Sequence, residues 1–178
     1  MKKVLLVTGG ARSGKSAYAE KRALALGSRL LYVATAQRID AEMARRIEEH
    51  RKRRAHAWQT IEEPLEVPGV LQRRRDPLDC VLIDCVTVWL SNLLLERGEA
   101  GVQHEVETLE NWVARIPTSL IFVTNEVGSG IVPDNPLARQ FSDLAGRANQ
   151  RLAELANEVV LMVSGIPLTI KPAGQTCA

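Results

Sequence analysis

Short apolar runs and helix-period stripes alternate along this chain. Lys3 to Thr8 encloses the unbroken apolar run Val4–Val7 and ends in two glycines, the pattern of a strand covered on both faces. Ser16 to Leu26 reads as a helix that stops near Gly27, and Leu30 to Ala34 as a second buried strand. Asp40 to Arg53 is helical in pattern, with Ile39, Met43, Ile47 and His50 on one stripe. Pro64 and Pro68 mark a loop or a short helical turn. Cys80 to Cys85 is a third apolar strand; helices then follow over Val86–Glu96, ending at Gly98, and over Gln103–Arg115. Leu120 to Thr124 is a fourth strand, and Gly128 to Asn135 a Gly- and Pro-bearing loop. Asn135 caps a long helix with Pro136 in its first turn and Leu137, Phe141, Leu144, Ala148, Leu152 and Leu155 on one face. Val159–Val163 and Leu168–Lys171, split by Ser164–Pro167, form a closing hairpin before the loose tail PAGQTCA. Strands alternating with helices predict a mainly parallel α/β sheet flanked by helices, with an antiparallel hairpin at its C-terminal edge.

Bulk composition narrows this little. The chain has 178 residues, 46% apolar and 25% charged, and is expected to form one domain over 1–178. A net charge of +2 leaves basic chemistry to local clusters. With 4% aromatics and no RNA-binding fingerprint, no nucleic-acid partner is expected. Cys80, Cys85 and Cys177 are odd in number and lack C-x-x-C spacing, so they read as reduced thiols. No apolar stretch reaches membrane-span length and the N-terminal run is too short for a signal peptide, so the expected location is cytoplasmic.

The chemistry begins at GGARSGKS. Gly9, Gly10, Ala11, Arg12, Ser13, Gly14, Lys15 and Ser16 spell Gly-x-x-x-x-Gly-Lys-Ser between an expected strand and an expected helix. Such a loop turns backbone N–H groups and a helix N-terminus toward phosphates. Lys15 brings a charge to the β- and γ-phosphates, and the Ser16 hydroxyl is placed for Mg²⁺. Asp84, at the end of a buried strand, is the candidate second Mg²⁺ ligand; its other reading is a residue that bonds the sheet end.

His50 has two readings. It can close an apolar helix face, or it can act as a nucleophile. Arg51, Lys52, Arg53 and Arg54 follow directly; they would disfavour the imidazolium and gather phosphate oxygens.

GGARSGKS, YVATA, RRIEEHRKRRAHAWQTIEEP and TNEVGSGIVPDNPLARQFSDLAGRANQRLA together resemble the bifunctional cobinamide kinase and cobinamide-phosphate guanylyltransferase family of adenosylcobalamin biosynthesis. The resemblance runs from Val4 to Lys171. It implies a P-loop NTPase fold of RecA-like type and two reactions using ATP or GTP. One phosphorylates the aminopropanol hydroxyl of adenosylcobinamide. The other carries GMP from GTP, through a guanylylated histidine, to adenosylcobinamide phosphate. By the same resemblance the histidine is His50. The nucleotide contacts are Gly9–Ser16, Ala34, Thr35, Ala36, Arg51–Arg54, Glu62 and Asp84, and the assembly is a homo-oligomer, a trimer. His56 and His104 match no such role. Two rivals remain at this point. One is another P-loop small-molecule or nucleoside monophosphate kinase without a covalent intermediate. The other is a regulatory GTPase or motor ATPase; against the GTPase stands the lack of an Asn-Lys-x-Asp motif, which TNEV at 124–127 does not replace.

Overall fold

The computed structural model describes residues 2–37, 41, 42, 45, 48 and 58–172. Seven strands form one sheet: β1 (Val4–Gly9), β2 (Leu30–Ala34), β3 (Trp58–Glu62), β4 (Cys80–Asp84), β5 (Ser119–Val123), β6 (Glu158–Val163) and β7 (Ile166–Lys171). Their order is β3-β2-β4-β5-β1-β6-β7, and every neighbouring pair is parallel except β6 with β7. The helices are α1 (Lys15–Leu24), α2 (Val67–Arg73), α3 (Val86–Arg115) and α4 (Pro136–Leu155).

The apolar runs are unbroken because both sheet faces are covered. In β1, Val4 and Leu6 pack into a core shared with Trp89, Leu93, Leu109, Leu144 and Leu152 of α3 and α4. Leu5 and Val7 point the other way, to a smaller core with Ala19 and Ala23 of α1. The central strands β1, β4 and β5 each carry an apolar run of four residues that is buried throughout, as their positions require.

Three details depart from the pattern reading. First, β3 was not foreseen. WQTIE is a half-exposed edge strand and carries no apolar run. It pairs with β2 from Leu30↔Trp58 to Ala34↔Glu62, and the Trp58 ring meets Tyr32 edge-on at 5.7 Å. Second, the helix pair expected over 86–96 and 103–115 is separated by one residue. Gly98 alone leaves the helical region (φ 65, ψ −172) between two segments that otherwise run on from Val86 to Arg115. Arg97, beside the kink, bonds Glu66 and, at 2.8 Å, Glu105. Third, the closing hairpin turns on two residues, Ser164 (φ 51) and Gly165 (φ 84), so Ile166 and Pro167 already belong to β7.

Asn135 caps α4 as expected, its side chain accepting the Ala138 N–H at 3.2 Å, with Pro136 in the first turn. The apolar face holds from Leu144 to Leu152, whereas Leu137 is 48% exposed. Of the helix expected over Asp40–Arg53, residues 41, 42, 45 and 48 are helical. The others, including the stripe of Ile39, Met43, Ile47 and His50, lie outside the described residues, as does the tail beyond Pro172.

Candidate active site: a phosphate loop at the carboxyl edge

Parallel pairing puts the carboxyl ends of β1, β2, β3, β4 and β5 on one edge of the sheet. The register sets Glu62, Ala34 and Asp84 side by side, with Val123 next in the row. In an open α/β sheet this is the edge where ligands bind.

The phosphate loop leaves β1 here. Gly9 (φ 143) and Gly14 (φ 91) hold backbone angles that a side chain would strain, and Arg12 (φ 56) is also left-handed. A Cβ on Gly9 would lie 2.4 Å from the Met162 carbonyl oxygen of β6. Gly14 stands before the first turn of α1, where a Cβ would lie 3.5 Å from the Cα of Gly165, whose N–H donates to the Ser13 carbonyl at 3.0 Å. The loop is thus seated against the β6–β7 turn.

Gly10, Ala11, Arg12 and Gly14 are exposed, Ser16 is half-buried, and Ser13 and Lys15 are buried. The Lys15 ammonium donates to the Gly10 carbonyl at 2.6 Å and to Ser13 Oγ at 3.5 Å. Burial pushes the Lys15 pKa down, while nearby Cys85 and Asp84 push it back. Lys15 and Asp84 therefore sense one another across the edge.

Asp84 is half-buried, and one of its oxygens accepts the Tyr32 hydroxyl at 2.6 Å. Of the two sequence readings of Asp84, the bond to the sheet is observed, and the residue ends its strand at the carboxyl edge. Thr35 is buried and its hydroxyl bonds the Cys85 carbonyl (2.8 Å) and N–H (2.9 Å), while its own N–H donates to the Asp84 carbonyl at 3.2 Å. Thr35 thus braces the 84–85 backbone, and Asn92 holds the Thr35 carbonyl at 2.9 Å. Ala36 is half-buried beyond it, and Glu62 ends β3 exposed. The Asp84–Cys85 peptide is cis. Burial, followed by the charge of Asp84, pushes the Cys85 thiol up to about 12.

His50, Arg51, Lys52, Arg53, Arg54 and His56 lie outside the described residues; His104 is exposed on α3. Among the described residues no group of three or more His, Cys, Asp or Glu side chains could hold a metal. Any Mg²⁺ at Ser16 and Asp84 would thus complete its shell with phosphate and water oxygens. No helix among the described residues is long and apolar enough to cross a membrane.

One pairing at this edge escaped sequence reasoning. Thr8, the last β1 residue before the loop, donates to the Glu126 carboxylate at 2.7 Å, and the Glu126 N–H donates to the Gly9 carbonyl at 3.2 Å. Their separation of 118 positions leaves no local signal. Beyond Glu126 the 128–135 loop exposes Ile131 (97%) and Val132 (75%). A cavity of about 540 Å³ opens where this loop enters α4, lined by Glu99, Pro136, Leu137, Gln140, Asp143, Leu144 and Arg147.

A glycine-bent loop carrying a lysine, facing a strand-end aspartate across a parallel sheet, defines a P-loop nucleotide-binding protein. Solved structures share the fold at low identity. The flagellar accessory protein FlaH from Methanocaldococcus jannaschii matches at TM-score 0.56 and 13% identity, over 98% of this chain and 82% of that one. The RadB recombinase matches at 0.53 and 18%, over 89% and 73%. Within that class the chain belongs to the cobinamide kinase / cobinamide phosphate guanyltransferase family, whose model matches residues 5–170. It is 44% identical to the bifunctional adenosylcobalamin biosynthesis protein CobU of Escherichia coli, over 94% of this chain and 99% of that protein. It is 43% identical to the bifunctional adenosylcobalamin biosynthesis protein CobP of Pseudomonas aeruginosa, over 93% and 96%.

Proposed function

We propose that this chain performs both family reactions, phosphorylating adenosylcobinamide and then transferring GMP from GTP to adenosylcobinamide phosphate. The observation that carries the reading is the convergence of the phosphate loop, Lys15 and Asp84 on one sheet edge, in a chain matched by the family model over residues 5–170.

In the kinase step the loop amides and Lys15 hold the β- and γ-phosphates. The substrate hydroxyl attacks the γ-phosphorus, and the bridging P–O bond breaks with its electron pair leaving on the nucleoside diphosphate. Ser16 and Asp84 supply hard oxygen donors suited to Mg²⁺, which when bound neutralises charge on the transferring group. In the second step a His50 nitrogen attacks the α-phosphorus of GTP and pyrophosphate leaves. A phosphate oxygen of adenosylcobinamide phosphate then displaces His50 from the GMP phosphorus. Arg51, Lys52, Arg53 and Arg54 balance the charge of the leaving pyrophosphate. Glu62, Ala34, Thr35 and Ala36 flank the nucleotide. The corrinoid lies over the 126–135 loop. Its apolar face meets Ile131 and Val132, and its amides face the polar lining of the cavity beside α4.

The test is intact-mass measurement after GTP and Mg²⁺. One GMP per chain is expected, stable in base and lost in mild acid, and absent from His50→Ala. Kinase activity should persist in that variant, because it asks only for positioning and charge neutralisation. A parent protein that phosphorylates adenosylcobinamide yet never carries GMP would make it a P-loop kinase without a covalent intermediate.

A further inference from the structure

Strand order makes the end of β5 special. β5 lies between β1, which carries the phosphate loop, and β4, which carries Asp84. Whatever follows Val123 therefore emerges between the two. The chain keeps its pairing with β1 as it leaves: the Thr124 N–H donates to the Val7 carbonyl at 2.9 Å and the Glu126 N–H to the Gly9 carbonyl at 3.2 Å.

Asn125 is gripped at both backbone groups. Its N–H donates to Thr87 Oγ1 at 2.7 Å and its carbonyl accepts from Asn149 at 3.2 Å. Thr124 bonds the same two side chains, Thr87 at 3.1 Å and Asn149 at 2.7 Å. From this rigid base Glu126 reaches an exposed position, and buried Thr8 holds one of its oxygens at 2.7 Å.

A carboxylate here is unfavourable for simply binding a polyphosphate. It adds a like charge beside the anion. Its place is explained if it serves the second substrate. We propose that Glu126 is the catalytic base of the kinase step: it accepts a hydrogen bond from the acceptor alcohol and takes its proton. The alcohol oxygen then bonds to the γ-phosphorus, the β–γ bridging bond breaks, its electron pair leaves on the nucleoside diphosphate, and the proton resides on Glu126. Thr8 is a positioning residue that aims the carboxylate. The assignment rests on the reading that an adenosylcobinamide hydroxyl is phosphorylated at this loop.

The experiment measures steady-state phosphorylation of adenosylcobinamide by the full chain with Mg²⁺ and ATP or GTP, alongside nucleotide Kd by equilibrium binding. Glu126→Gln should lower kcat by about 100-fold or more, the usual contribution of a general base, with nucleotide Kd within about threefold of the parent. Glu126→Asp should recover part of the rate. Thr8→Val keeps the carboxylate and removes its support, and should cost about tenfold, one hydrogen bond's worth. Parent-like kcat in Glu126→Gln overturns the assignment while leaving the proposed substrate intact. Equal losses in Glu126→Gln and Thr8→Val, accompanied by weakened nucleotide binding, overturn it in favour of a clamp between β1 and β5. A parent chain inactive on adenosylcobinamide overturns both the substrate reading and the role that depends on it.

Discussion

Lys15 is at once the most informative residue of the motif and an uneasy one in the fold. It is buried, 7% exposed, with its ammonium donating to the Gly10 carbonyl of its own loop. Burial depresses its pKa, which means the charged form is less well solvated folded than unfolded. Lys15→Ala removes that burden together with the charge that meets phosphate. Nucleotide turnover should fall by about 100-fold or more, as when one electrostatic donor is lost, while the melting temperature holds or rises. A melting temperature several degrees lower would mean that Lys15 is chiefly a structural donor. Lys15, Ser16 and the loop glycines were legible because eight consecutive residues carry the whole pattern. Asp84 was legible because a lone acid ending an apolar strand is costly without a purpose. The bonds of Tyr32 to Asp84 and of Thr8 to Glu126 were not. Each joins residues tens of positions apart, and nothing beside either residue in the chain records its partner.

At the scale of elements, strands buried on two faces and the closing hairpin announced themselves, and the β3 edge did not. β4 and β5 are apolar from Cys80 to Ile83 and from Leu120 to Val123 because both sides meet side chains. β3 has one neighbouring strand and partly exposed residues, so WQTIE shows neither an apolar run nor clean alternation. The kink at Gly98 was visible as a glycine, but its span was not, because the segments resume helix at once. Gly9 shows where an element tolerates no change. With φ 143 and a would-be Cβ 2.4 Å from the Met162 carbonyl oxygen, Gly9→Ala combines backbone strain with a clash against β6. A loss of about 2–4 kcal/mol in urea unfolding is expected, along with weaker nucleotide binding. A variant within about 0.5 kcal/mol of the parent, the range of neutral surface changes, would show that β6 yields easily.

For the whole molecule, ion pairs that link distant segments shape the response to acid. Asp79 is pulled down to about 2, first by the Arg29 side chain and then by the Arg29 and Ser28 N–H groups, and it joins the entrance of β2 to that of β4. Glu158 of β6 is lowered by Arg22 of α1, which grips it at 2.8 and 2.7 Å. A carboxylate whose folded pKa is depressed stabilises the fold above its unfolded pKa and loses that contribution as pH falls through the folded value. For Asp79 the window runs from its ordinary 3.8 down to about 2. Glu105 acts oppositely. Burial raises its pKa, so the folded state prefers its protonated form, and raising pH through that value weakens the fold. Melting temperature should therefore fall steeply between pH 4 and 2, and Asp79→Asn should be lower at neutral pH with a shallower acid limb. Parallel curves for the two proteins would remove Asp79 from this role.

The seat of the phosphate loop on Ser164–Gly165 has a consequence in time. The loop residues leave the ribosome about 150 residues ahead of the turn that supports them, a lead of roughly 8–30 s at ordinary translation rates. Through that interval β1 also waits for both of its sheet neighbours, since β5 and β6 lie far downstream of it in the chain. A growing polypeptide thus displays GGARSGKS long before it owns a surface that can retain a nucleotide. Ligand capture begins with closure of the sheet, so the cell's abundant triphosphates meet finished molecules and do not bias unfinished ones.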